Sequence, residues 1–351
     1  MLIARAPMRI SFGGGGTDLE VYYAKYGGVV ISTAINKYFY AILTTDELDD
    51  LQVISADYRS LFRHSPYSDL FWNGDLALPK AVLHHFGIRR GVNIFIASEV
   101  PPGTGLGSSS AAAVTMVRAI STLVEQPMTK QQIAELASSI EITKMGMPIG
   151  KQDQYAAAFG GLNKITFTTE GVTVEPLTIA SEVRKTLERR LMLFFTGSSR
   201  ESTSILKHQR QSTQNRDEAV LQALHNIKQV ALDVQDCLER GNLDEFAQLL
   251  HYSWQEKRRL APGLSTGFID ECYELALQRG ASAGKITGAG GGGFMLVYCN
   301  EDAQEAVTSA LEERGLKRMN FHFDHQGATV LLNVATFNTD WVTPYNEGKQ
   351  Q

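Results

Sequence analysis

The stretch Pro101-Pro102-Gly103-Thr104-Gly105-Leu106-Gly107-Ser108-Ser109-Ser110-Ala111-Ala112 decides how the rest of the chain is read. Upstream, Val92, Ile94 and Ile96 alternate with Asn93 and Phe95, the period of a strand. Downstream, Val114, Val117, Ile120, Leu123 and Val124 recur at helical spacing. The glycines therefore sit at a strand-to-helix junction. Glycine lets backbone amides approach a ligand closely, and a helix start adds free N–H groups and a positive dipole end. Residues 102–110 read as a phosphate cradle or, equally, as an ordinary serine-capped loop. No Gly-Lys-Ser/Thr closes the stretch, and its spacing is Gly-x-Gly-x-Gly. That excludes a Walker A loop and the dinucleotide fingerprint.

The chain has 351 residues, enough for two domains or one large one. Apolar residues make up 43% and charged ones 20%, as in an ordinary globular enzyme. A formal charge of −5 argues against nucleic acid as a partner. There is no apolar run of membrane-spanning length and no signal-peptide core at the N-terminus. Cys237, Cys272 and Cys299 form neither a disulfide framework nor a zinc spacing. The expectation is a cytoplasmic protein with small-molecule partners, no nucleic acid and no membrane; a homo-oligomer is left open.

Several other stretches carry chemistry. A strand over residues 3–12, containing Arg9, runs into Gly13-Gly14-Gly15-Gly16-Thr17-Asp18, a sharp turn that offers a carboxylate; Asp18 can also simply cap the next helix. From the N-cap Thr129 a helix runs to about Met145, with Ile133, Ala137 and Glu141 on one face. A carboxylate on an apolar face needs a compensating group: a salt bridge, or a hard cation such as magnesium. Gly150-Lys151-Gln152-Asp153-Gln154-Tyr155 lies in a break after Pro148. Thr196-Gly197-Ser198-Ser199-Arg200 follows a strand and reads as an anion contact or a solvated helix start. The glycine run of 288–293, just before an apolar strand from Phe294 to Cys299, suggests backbone packed closely on a neighbour. The segment from Asp57 to Trp72 lacks periodicity and reads as a surface excursion. Residues 319–324 and 328–333 read as edge strands of a second domain, and 336–351 as a loose tail. The expected division is 1–180, 181–340 and a tail of 341–351.

Taken together, these motifs resemble the signatures of the GHMP kinases. The stretch of 101–112 is similar to that family's ATP-phosphate loop, Arg5-Ala6-Pro7 through Leu19 to its N-terminal sugar signature, and Gly288 to Gly293 to its third signature. Gly-Lys-Gln-Asp-Gln-Tyr resembles the family's Gly-x-x-Asp-Gln segment in the form found in heptose-phosphate kinases. The resemblance implies an α+β GHMP fold: an N-terminal domain like the second domain of ribosomal protein S5, and a ferredoxin-like C-terminal domain. It implies an ATP-dependent sugar kinase acting on an anomeric hydroxyl. Pro102, Gly103, Thr104, Gly105, Leu106, Gly107, Ser108, Ser109 and Ser110 would hold ATP, and Ser109 and Glu141 would hold Mg2+. Asp153 would face the acceptor hydroxyl, and Arg9 the phosphoryl in flight or, equally, a salt-bridge partner. Gly15, Gly16, Thr17, Asp18, Lys151, Arg200, Gly290 and Gly291 would bind the acceptor. Rivals are a kinase for a free sugar such as fucose or galactose, one for an amino-alcohol or isoprenoid precursor, and a non-catalytic binding protein of the same fold.

Overall fold

A computed structural model describes residues 1–45, 50–57, 59–64, 70–197, 203–261 and 263–342. Its strands are β1 (Leu2–Gly13), β2 (Gly28–Thr45), β3 (Leu51–Ser55), β4 (Ser60–His64), β5 (Val92–Ser98), β6 (Leu162–Phe167), β7 (Val172–Pro176), β8 (Leu191–Phe195), β9 (Ala281–Ile286), β10 (Phe294–Cys299), β11 (Lys317–Met319) and β12 (Thr329–Asn333). Its helices are α1 (Glu20–Tyr26), α2 (Ala77–His85), α3 (Ser108–Leu123), α4 (Lys130–Ser138), α5 (Gln152–Phe159), α6 (Ser181–Arg190), α7 (Thr203–Gln214), α8 (Glu218–Glu239), α9 (Leu243–Arg258), α10 (Gly267–Gln278) and α11 (Gln304–Glu313).

The first sheet runs β12-β1-β2-β5-β3-β4, with β6 and β7 continuing from the other half of β2. Only the β3–β5 pair is parallel. On β5 the alternation holds as expected: Val92, Ile94 and Ile96 are buried while Phe95 is largely exposed. Helix α3 is buried around its whole circumference from Ala111 to Val117, because it is enclosed by β1, β2, α4 and α5; its one polar side chain there, Thr115, donates back to Ala111 O.

The second sheet is antiparallel, in the order β11-β8-β10-β9, which is the 4-1-3-2 order of a ferredoxin-like fold. Both faces of its central strands are covered, so β8 and β10 are continuously apolar. Phe294, Leu296 and Tyr298 face the main core, where Phe12 of β1 and Tyr298 both meet the Phe246 ring edge-on. Met192, Phe194, Met295 and Val297 face a second core built with Trp254, Ile269 and Tyr273 of α9 and α10. The two cores therefore share one sheet, which ties the halves of the chain together.

Three expectations are corrected. Part of the stretch read as a surface excursion is the edge strand β4, paired with β3. Residues 328–333 do not border the second sheet: β12 pairs with β1, returning the chain to the first. The tail begins later than read, since Trp341 packs over Gly91 and under the Arg90 guanidinium. Ser198, Ser199 and Arg200 lie outside the described residues.

Candidate active site

Strand β1 enters a cavity between the two sheets, and Arg9 is the side chain it delivers. The Arg9 backbone N–H donates to Leu106 O at 3.1 Å, so the strand also braces the glycine loop. The buried guanidinium donates through Nε and Nη2 to both oxygens of Asp153, at 2.6 and 2.7 Å. Its Nη1 donates to Gly105 O at 2.6 Å. Planar, bidentate pairing fixes the carboxylate in orientation as well as in place. Asp153 sits in the first turn of α5, not in a break as expected: Lys151 is the N-cap, and Pro148 and Gly150 only delay the helix start. On the facing side is Gly107, at φ +78°, where a Cβ would come within 3.1 Å of Asp153 Oδ2. Loop and carboxylate thus approach as closely as a glycine allows.

Gly107 is also the residue from which α3 starts, so the amides of Ser108, Ser109 and Ser110 open a sixteen-residue helix. That supplies the free donors and dipole of an anion cradle. Opposite, Gly105 and Gly288 touch backbone to backbone; a Cβ on Gly288 would lie 2.7 Å from Gly105 O. The second glycine run therefore backs the first, as its composition suggested.

Glu141, 1% exposed, accepts from Ser109 Oγ at 2.8 Å and from Gln154 Nε2 at 2.6 Å. It stands in a π-helical turn, Ser139–Lys144, that prolongs α4. Such turns often mark functional sites. Burial raises the carboxyl above its usual range, against hydrogen bonds from Ser109, Ser110 and Gln154 that lower it. A hydroxyl and a carboxylate beside a phosphate cradle are the hard oxygen donors magnesium takes. Among the described residues no group of three or more His, Cys, Asp or Glu forms a self-sufficient metal site. The pair therefore suits an ion that brings phosphate oxygens and water as its remaining ligands. In the metal-free protein a carboxyl with a raised folded pKa loses stability as pH climbs from its unfolded value through the folded one. Glu141→Gln removes that loss, so at neutral pH we expect an unchanged or higher Tm. The magnesium concentration for half-maximal rate should rise at least about tenfold, the loss of one charged ligand contact. A lower Tm with unchanged magnesium dependence would make Glu141 only an acceptor for Ser109 and Gln154.

Asp18 is 2% exposed. Oδ1 accepts from Gly16 N at 2.9 Å and Gln152 Nε2 at 3.2 Å, and Oδ2 from Gln152 N at 3.1 Å. Burial, then the Asp153 charge, push its carboxyl up, while the amides of Gln152 and Gly16 oppose them. A Cβ on Gly150 would collide with this carboxylate.

Arg9, Gly15, Gly16, Asp18, Gly103, Gly105, Gly107, Ser108, Ser109, Ser110, Asp153 and Gly290 all line the cavity. Other sequence candidates support it from behind. Thr17 Oγ1 donates to Gly14 O and Val29 O; Thr104 and Leu106 are fully buried; Gly291 N donates to Leu264 O. The Lys151 ammonium lies 5.3 Å from the centre of the Tyr23 ring, away from the cavity lining.

Four residues were missed. Gln152 and Gln154 flank Asp153 in a motif already singled out, and glutamine amides beside a key carboxylate were the available signal. Lys285 precedes the last glycine run by three positions; its Nζ donates to Ser11 O at 3.0 Å. Burial, then Lys257 and Arg9, hold it well below the usual lysine range. Lys257, in the last turn of α9, donates to Gly288 O and to Ile286 O. Burial pulls it down to about 8, with Arg9 adding and Asp18 and Asp153 opposing.

A glycine-rich helix start, a hydroxyl–carboxylate pair and an arginine-held aspartate in one cavity define a phosphotransferase. The chain matches the GHMP kinase N-terminal domain over residues 76–161 and the C-terminal domain over residues 234–317, and it belongs to the GHMP kinase family. It is 32% identical, over 92% of its length and 96% of the relative's, to D-glycero-alpha-D-manno-heptose 7-phosphate kinase of Campylobacter jejuni. A solved D-glycero-D-manno-heptose 1-phosphate kinase from Bacteroides thetaiotaomicron superposes with a TM-score of 0.79 at 28% identity, covering 95% of this chain and 100% of that one. A putative sugar kinase from Campylobacter jejuni gives 0.76 at 31% identity, covering 94% and 97%. The expected family, its fold and an ATP-dependent sugar-kinase activity are borne out. Among the described residues no helix is long and apolar enough to cross a membrane.

Proposed function

We propose that the chain transfers the γ-phosphoryl of ATP to the anomeric hydroxyl of D-glycero-D-manno-heptose 7-phosphate, giving the 1,7-bisphosphate. The carrying observation is the Arg9–Asp153 pair set against Gly107, with the buried Asp18 carboxylate in the same cavity. The heptose comes from the relatives' names, which differ in where they put the phosphate. Asp18, oriented by the Gly16 N–H, and the amide of Gly15 hold sugar hydroxyls. Asp153 takes the acceptor proton. Ser109 and Glu141 would hold Mg2+, which neutralises phosphate charge when bound. Three free, buried thiols support a reducing, cytoplasmic setting.

The test is kcat/KM for heptose 7-phosphate, the unphosphorylated heptose, and fucose and galactose, with the product's phosphates located by 31P NMR. Two charged hydrogen bonds to the acceptor's own phosphate, at about 1.5–3 kcal/mol each, predict at least about a hundredfold preference for the phosphorylated heptose. The new resonance should be that of an anomeric phosphate. Arg200→Ala should erase much of the preference, since the sequence points to Arg200 for that phosphate. Equal values for the phosphorylated and free sugars would leave a free-sugar kinase.

A further inference from the structure

The sequence pointed to Arg9 as the cation for the transferred phosphoryl group. The structure shows the salt-bridge alternative: Nε and Nη2 hold Asp153, and Nη1 holds the carbonyl of Gly105. Its main work is to position base and loop. The charge that develops on the phosphoryl oxygens is then open to a side-chain cation other than Arg9, beside Mg2+.

Lys257 reaches the cavity from α9 and is anchored by Gly288 O and Ile286 O. Gly288 is the residue whose backbone rests on Gly105 of the phosphate loop. The charges that act on Lys257 are those of Arg9, Asp18 and Asp153, the groups around the reacting hydroxyl. Among the described residues no carboxylate lies within ion-pair distance of Lys257 or of Lys285, whose own ammonium rests on Ser11 O. Two ammonium groups held by carbonyls alone, in a partly desolvated cavity, are an unfavourable arrangement until an anion joins them.

We propose that Lys257 contacts the γ-phosphoryl group of bound ATP and carries its charge during transfer, with Lys285 beside it. The acceptor oxygen bonds to the γ-phosphorus, and its proton passes to Asp153. The bond from phosphorus to the β,γ-bridging oxygen breaks, leaving its electron pair on ADP. Lys257 neither gains nor loses a proton in this step. The other anion that could meet this ammonium is the acceptor's own phosphate. The geometry disfavours it, because Lys257 is tied to Gly288, whose backbone rests on Gly105, and lines the same cavity as Arg9 and Asp153.

The inference rests on the phosphoryl-transfer reading but not on the acceptor's identity, so its primary measurement is nucleotide binding without acceptor, and acceptor kinetics serve only to tell the two readings apart. Calorimetry with the magnesium complexes of a non-hydrolysable ATP analogue and of ADP is run on wild type, Lys257→Met and Lys257→Gln, the last keeping a donor for the two carbonyls. Both variants should bind the triphosphate analogue at least about tenfold more weakly, the loss of one charged hydrogen bond, and bind ADP within about twofold of wild type. Lys257→Arg should recover part of the loss. Equal weakening for both nucleotides would reduce Lys257 to a prop for the loop and overturn the proposal. Unchanged nucleotide binding, with kcat/KM lost only for a phosphorylated acceptor, would also overturn it and move Lys257 to the acceptor's phosphate. If wild type turns over no heptose phosphate while the analogue arm behaves as stated, the acceptor assignment has failed and this one stands.

Discussion

Asp153→Asn should lower kcat by between about 10² and 10⁴, the usual contribution of a general base. The nucleotide should still bind, because the loop amides and the start of α3 do not depend on the carboxylate. Asparagine keeps the shape and one acceptor oxygen, so it can satisfy one of the two guanidinium donors now held at 2.6 and 2.7 Å. The remaining donor, and the uncompensated charge of the Arg9 side chain, which is 5% exposed, should also lower Tm. The two effects separate cleanly. A kcat loss with ADP affinity intact places Asp153 in the chemistry, whereas parallel losses of kcat, nucleotide affinity and Tm would make it chiefly the partner that keeps Arg9 and Gly105 in place. A loose, dissociative transfer asks little of a base, so an effect near the lower bound still fits; wild-type kcat does not.

The parts of this site readable from the sequence are those whose chemistry is written in local composition. Glycine runs, serines at a helix start and a carboxylate on an apolar helical face each carry a physical signature within a few residues. Lys257 carried none. It heads the run Lys257-Arg258-Arg259 at a helix C-terminus, where cations normally sit to face solvent and the dipole. Arg258 and Arg259 do so, pairing with Asp270 and Glu256 at 3.1 Å. Only the packing of α9 on β9 turns Lys257 inward. The strand β12 was misplaced for a related reason. Five residues with an apolar centre can pair with either sheet, and the choice is made by β1, far away in sequence. The strand β4 escaped because it is an edge with both faces partly wet, so its pattern lacks the contrast that periodicity needs. Asp153 was read in a break because proline and glycine just before it are ordinary loop signals, and an eight-residue helix offers little pattern against them.

The glycine run of 288–293 was legible as close packing, but its partner was not, and that partner makes Gly288→Ala the most informative single methyl in the chain. Gly288 has φ +62°, where an L side chain is strained by about 1–2 kcal/mol. The added Cβ would also lie 2.7 Å from Gly105 O and 2.9 Å from Gly105 C. Both are backbone atoms of the glycine loop before α3, so no side chain can swing aside, and overpacking of this kind adds about 1–3 kcal/mol. We expect a total loss of about 2–5 kcal/mol in stability. The loop must move to relieve the contact, so the KM for ATP should rise at least about tenfold, as expected when even one charged phosphate contact is lost. Gly315→Ala supplies the control. Gly315 has φ +90°, yet a Cβ there meets nothing within 4 Å. It should show the backbone strain alone, about 1–2 kcal/mol, with the KM for ATP unchanged. If the two variants lose similar stability and both keep wild-type ATP kinetics, the contact between the glycine turns is not what holds the phosphate loop. If only Gly288→Ala loses nucleotide binding, the second glycine run is part of the ATP site although it sits behind the cradle, and its backbone, not any side chain, does the holding.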